Sequence, residues 1–172
     1  MSDSVDEKSK SFTRRIVNLD DDAVMLLFDS SRQYQLDFAG ATPLVAAIRL
    51  GRLSLVKRML DNGFSPFVNV HLCSALGAAI DCPLEQGDSI LKLLLERVDT
   101  LEPEDPFEYC PELNEPMLYA AIRRRKVQAA KLLLEHGVDP NWMDIDGISA
   151  LQLAKGMAYV DLEGLEKWNK DR

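Results

Sequence analysis

The sequence is short of the residues that metal and disulfide chemistry require. Of 172 residues, three are cysteine and two are histidine. Cys73, Cys82 and Cys110 are an odd number at unpatterned spacings. They fit neither a disulfide framework nor a zinc site, and a reducing cytosolic or nuclear setting is expected. Neither His71 nor His136 has a nucleophile or metal-ligand partner at a meaningful spacing. A glycine-rich phosphate loop and a paired-cysteine motif are both missing, so no catalysis, cofactor or metal is expected. No run of about 18 apolar residues occurs, which argues against a membrane helix. The start, Met1 to Ser11, is polar and lacks the apolar stretch of a secretory signal. Positive charge is also scarce: 20 Lys and Arg face 28 Asp and Glu, for a net charge of −8. That balance argues against non-specific binding to nucleic acid or anionic lipid, both of which reward cations.

What is present is repetition. Four segments share one skeleton: Ala41 to Ile48, Cys73 to Ile80, Glu115 to Ile122 and Ile148 to Lys155. In each, a Leu is followed three residues later by an Ala: Leu44/Ala47, Leu76/Ala79, Leu118/Ala121 and Leu151/Ala154. The leucines are 32, 42 and 33 residues apart. A second apolar block follows the first three, at Leu55 to Gly63, Ile90 to Val98 and Ala129 to Gly137. From the key Leu to the Lys of that block is 13, 16 and 13 residues, so the middle unit carries three extra residues.

The pattern predicts stacked helix pairs. Thr42, Ser74 and Ser149 stand as N-cap acceptors, and Pro43 at a tolerated first-turn position. Gly51 ends one helix near the start of the next, while Gly63 and Gly137 suit left-handed stops. A single pair has too little core, and stacking supplies it.

These segments resemble ankyrin repeats, whose core reads Thr-Pro-Leu-His-x-Ala and closes near Leu-Leu-x-x-Gly-Ala-Asp. Ala41-Thr42-Pro43-Leu44 and Leu133 to Asn141 are the nearest matches, and Asp144 to Leu151 looks like the family's hairpin and following helix. The family's period is about 33 residues. Val45, Gly77, Tyr119 and Gln152 stand where its His belongs, Pro116-Met117 replaces Thr-Pro, and Val98 replaces a terminal Gly. The resemblance implies an all-α ankyrin-repeat solenoid of about four to five repeats, capped at both ends. The expected layout is a polar tail at 1–11 and a degenerate capping repeat at 12–39. Repeats at 40–71 and 72–98 follow, then an acidic loop at 99–113, a repeat at 114–146 and a capping repeat at 147–172. In the first cap, Phe12 to Asn18 and Ala23 to Phe28 read as helices and Leu36-Asp37-Phe38 as a hairpin arm; Val160 to Trp168 belongs to the last cap.

Two surfaces draw a functional reading. Asp99 to Glu115 holds seven acidic residues, no basic one and three prolines, with Phe107 and Tyr109 among them. It reads either as a partner-binding loop anchored by these aromatics or as a solvated linker. Arg123-Arg124-Arg125-Lys126 is the densest basic run. By register Arg49 matches Arg123 and Arg52 matches Lys126, with Asp81 in the intervening place, so this ridge either meets an acidic partner segment or pairs internally. The candidate partner-binding set is Val45, Arg49, Arg52, Phe107, Tyr109, Tyr119, Arg123, Arg124 and Lys126.

The resemblance implies a non-enzymatic protein-binding module. Its expected role is a regulatory subunit or inhibitor in cell-cycle control that binds a protein kinase and restrains DNA replication in early development. The alternatives are an IκB-like inhibitor of a transcription factor, or a scaffold or ubiquitin-ligase adaptor; the short stretch after the last repeat makes an adaptor box the least expected. No direct nucleic-acid or membrane partner is expected, and the location is cytoplasmic, nuclear or both.

Overall fold

The computed structural model describes residues 11–29, 35–36, 41–66, 75–98 and 116–157. Among these, the elements are helices apart from one isolated antiparallel bridge between Met143 and Ser149. They fall into four pairs and one further helix. The pairs are α1 (Phe12–Ile16) with α2 (Asp21–Leu27), α3 (Pro43–Arg49) with α4 (Leu53–Asp61), α5 (Ala75–Asp81) with α6 (Gln86–Val98), and α7 (Met117–Arg123) with α8 (Val127–Glu135). The last helix is α9 (Ala150–Gly156).

Helices pack in two rows. The first helices stack as α1, α3, α5, α7 and α9, and the second helices as α2, α4, α6 and α8. This is the stacked, quasi-one-dimensional architecture that the 33-residue period predicts.

The two rows bury their residues differently. Pro43 to Ile48, Ala75 to Ile80 and Met117 to Ile122 are buried without exception. Each of these helices has a neighbour on either side and its own partner behind, so no side faces water until the final residue. Ala46, Ala47, Ala78, Ala79, Ala120 and Ala121 keep the helices slim enough to be enclosed. The second row is amphipathic. In α4, Leu55, Val56, Met59 and Leu60 are buried, and the residues between them are exposed. Burying each such aliphatic side chain stabilises the array by about 1.5–3 kcal/mol.

The ends of the helices follow from local chemistry. Thr42 Oγ1 accepts from the Val45 amide at 3.2 Å ahead of α3, and Asp20 Oδ1 from the Ala23 amide at 2.7 Å ahead of α2. Ser149 and Gln152 form a reciprocal capping box on α9. Four helices then stop in the same way. Gly51, Arg125, Gly63 and Gly137 all have positive φ, at 64°, 57°, 84° and 84°. In each case that residue and the next donate back to the final turn; Gly63 bonds to the Leu60 carbonyl and Phe64 to that of Met59. This is the Schellman arrangement, which glycine enters without steric cost. Arg125 enters it without being glycine.

The middle unit shows what happens when the stop is missing. Val98 occupies the register of Gly63 and Gly137, and α6 includes it as its last residue. A β-branched residue does not readily adopt positive φ, and Val98 stays helical. The three extra residues of this unit divide between a linker one residue longer and a helix that starts two residues earlier. The helices of the N-terminal unit are shorter at the first and displaced at the second from the expected spans, Phe12–Ile16 rather than 12–18 and Asp21–Leu27 rather than 23–28. Asp20 caps the second helix and places Asp21 and Asp22 in its first turn, where acidic charge suits the helix dipole. Phe12 and Phe28 meet edge to face at 4.8 Å between ring centres, and Arg15 lies 5.8 Å from each ring. The tail at 1–10, the arm residues Asp37 and Phe38, and Val160 to Trp168 lie outside the described residues, as do His71, Cys73 and Cys110.

Candidate partner-binding surface

Two of the four basic residues picked out by register, Arg52 and Lys126, hold one unit to the next. Arg52 ends the turn after Gly51 and takes φ −84°, ψ 73°; Lys126 after Arg125 takes φ −84°, ψ 77°. The same backbone sends both side chains back onto the preceding unit. Arg52 Nη1 donates to the Ile16 carbonyl at 2.9 Å, and its guanidinium also pairs with Asp21. Lys126 Nζ donates to the Cys82 carbonyl at 2.7 Å. Between these two joints, Cys82 Sγ makes a long contact of 3.6 Å with the Ile48 carbonyl. At three successive joints, therefore, a donor of one unit meets a carbonyl at the end of the first helix before it. Those carbonyls carry the negative end of a helix dipole, so a cation there is favoured.

Further pairs lie alongside. Arg58 reaches Asp22 at 2.7 Å, Arg97 pairs with Asp61, and Arg124 Nε lies 3.1 Å from Asp81. The acid that interrupts the Arg49–Arg123 row is thus bound internally, by Arg124. Arg49 and Arg123 are exposed at the ends of α3 and α7.

Around Asp21 the clamp is dense. Its Oδ2 accepts from the Ser54 hydroxyl at 2.7 Å while Oδ1 meets Arg52. Burial alone would raise its pKa. The Ser54 hydrogen bond and the Arg52 guanidinium outweigh that effect and hold it below the ordinary aspartate value.

Two members of the expected face prove to be core. Val45 is 1% exposed and Tyr119 is 8% exposed. Val45 is enclosed within the first-helix row and offers no surface for a partner. Tyr119 is buried less completely, and its hydroxyl donates to the Asp144 carboxylate across the following turn. The helix face therefore presents side chains mainly at its C-terminal rim, through Arg49, Asp81 and Arg123. Phe107, Tyr109 and the whole acidic stretch 99–115 lie outside the described residues.

A surface that the sequence reading did not single out is the turn at 139–149. Asp144 Oδ1 accepts from the Asp146 and Ile148 amides at 3.0 and 2.9 Å, and Gly147 turns the chain at φ 73°. The Ile148 amide is the chief reason that the Asp144 carboxyl sits below its ordinary range. Trp142, Met143, Ile145 and Ile148 project from this framework and are exposed. The signal was present in the sequence: apolar residues alternate with Asp144 and Asp146 just ahead of the glycine of a tight turn.

Comparison with known proteins agrees with this geometry. The ankyrin repeat family model matches residues 114–145, which hold α7, α8 and the start of the turn. No curated protein matches the chain. Among solved structures 142 chains match, so the architecture is too widely shared to select a partner by itself. One is the ankyrin repeat domain of Bcl-3, described as a unique member of the IkappaB protein family. It superposes with a TM-score of 0.74 at 20% identity, over 94% of this chain and 71% of that one. Two stacked rows of helices, Schellman stops and a hairpin turn, together with a family match to one unit, make this chain an all-α ankyrin-repeat solenoid.

Proposed function

We propose that the chain is a non-enzymatic regulatory module that works by binding another protein. One observation carries this reading: each joint between the described helix pairs is closed by both packing and polar clamps. Such an array is stiff before it meets anything, so binding orders few groups and little of the contact energy is lost.

Within that role we infer a regulatory subunit or inhibitor that binds a protein kinase in cell-cycle control and restrains DNA replication in early development. The support is resemblance. In its short length, acidity and degenerate repeats the chain is similar to plutonium, the small ankyrin protein of the fly egg. A second reading, an IκB-like inhibitor of a transcription factor, is favoured by the structural likeness to Bcl-3. Either role places the protein in the cytoplasm, the nucleus or both.

Affinity purification of the tagged full chain, with cross-linking and mass spectrometry, separates the readings. A kinase cross-linked to the array is the expected result. A Rel-type factor in its place favours the second reading, and a cullin complex an adaptor. The absence of any stoichiometric protein partner overturns the interaction role itself.

A further inference from the structure

Exposed apolar side chains are concentrated at one place. Of ten large apolar residues exposed among the described residues, four lie between Trp142 and Ile148. Met143 is 58% exposed and Ile145 is 77% exposed. They are held on a turn that its own hydrogen bonds fix: Asp144 Oδ1 to the amides of Asp146 and Ile148, and the Asp144 amide to the Ile148 carbonyl at 3.0 Å. Tyr119 anchors the same carboxylate to α7. The apolar side chains are thus displayed on a rigid support, the condition under which a Trp or Ile contact retains its energy.

The charge of the turn is one-sided. Asp139, Asp144 and Asp146 fall within it, and no Lys or Arg occurs between His136 and Lys155. Asp139 is held by the Asn141 amide at 2.8 Å, and Asp146 is exposed. An apolar strip with aspartates beside it is complementary to a segment that alternates the same way with the opposite charge.

We infer that the turn at 139–148 is a docking finger for a basic peptide segment of a protein partner, one that interleaves Lys or Arg with aliphatic or aromatic residues. The inference rests on the interaction role proposed above and adds the surface and the chemistry of what it meets.

The test is a random peptide library displayed on phage and selected on the full chain. Enriched peptides are then labelled and their binding followed by fluorescence anisotropy. The enriched peptides are expected to be basic and apolar. Met143→Ser with Ile145→Ser weakens them about tenfold or more, since both side chains are exposed and their loss leaves the fold intact by circular dichroism. Asp146→Lys also weakens binding and reduces its salt dependence. Leu26→Ser, at an exposed position on α2, leaves binding unchanged. Acidic enriched peptides, no enrichment, or binding that the turn variants do not alter overturn the docking finger. Concentration-dependent dimerisation of the wild type that the double variant abolishes also overturns it, by assigning the turn to a second copy. If purification yields a partner that the double variant still binds, the interaction role stands and this surface alone falls.

Discussion

The Tyr119 hydroxyl donates to the Asp144 carboxylate, tying the first helix of one unit to the turn that leads into the next. Tyr119→Phe removes that bond and leaves the ring in place. The array is expected to stay folded, with faster hydrogen exchange at the Ile148 and Gly147 amides. Tyr119→Ala has a different outcome. It empties a buried site and destabilises by about 3–5 kcal/mol, so lost partner binding in that variant reports the core rather than an interface. Urea denaturation of the two variants distinguishes them.

Arg52 joins the N-terminal unit to the rest through Asp21 and the Ile16 carbonyl. Arg52 and Asp21 are both largely covered, so Arg52→Ala strands a partly buried carboxylate and is expected to cost about 2 kcal/mol. The loss falls on α1 and α2, and hydrogen exchange there rises before it does in α7. Arg58→Ala is the contrast. Its pair with Asp22 is open to solvent and is worth only about 0–1 kcal/mol. Equal losses for the two variants would show that the clamp is not what holds this unit.

Acid should loosen both carboxylate frameworks. In the folded chain Asp21 and Asp144 lie below the ordinary value of 3.8. The unfolded chain therefore takes up protons first as pH falls. The stability these groups add is present above 3.8 and is lost as pH drops through their folded values. Asp21→Asn is expected to lower stability at neutral pH and to make the acid decline shallower. Denaturation midpoints followed from neutral pH into acid provide the comparison; an unchanged acid limb in Asp21→Asn would sink the assignment.

Gly51 and Arg125 occupy the same backbone position in two units, at φ 64° and 57°. Placing a side chain in this left-handed region costs about 1–2 kcal/mol. Gly51→Ala is expected to destabilise by that amount, and its new Cβ would lie 2.7 Å from Leu84 Cδ1 until Leu84 moves aside. Arg125→Gly relieves the strain but frees the unfolded chain, and is expected to stabilise by up to about 1 kcal/mol net. Thermal denaturation reads both signs.

Much of the fold was legible because helix stops and caps are local. Thr42, Ser149, Gly51, Gly63 and Gly137 each act through bonds to residues within five positions, and a sequence displays those directly. The consequences of stacking were less legible. Val45 and Tyr119 sit where the family has a polar residue, yet both are enclosed, because burial there is set by helices 30 or more residues away. The basic run suffered similarly. Its spacing revealed a row, but only the stacked array shows that Arg124 meets Asp81 and that Lys126 meets the Cys82 carbonyl. The turn at 139–149 was illegible for a third reason: alternating Asp and aliphatic residues read as ordinary turn chemistry, and only the fold shows Asp144 bonded to the amides of its own turn while Ile145 is exposed.

Among the described residues, the cationic clamps between helix pairs point one way. Arg52, Arg58, Arg97, Arg124 and Lys126 each reach back toward the N-terminus, to acceptors in the unit already passed. A chain emerging from the ribosome supplies acceptors first and the cations that fasten them one unit later. Each of these three joints is thus latched from its C-terminal side. Cutting the array back from its end would unlatch the last unit left behind, whereas removing the first unit would leave Arg52 and Arg58 without the aspartates they fasten.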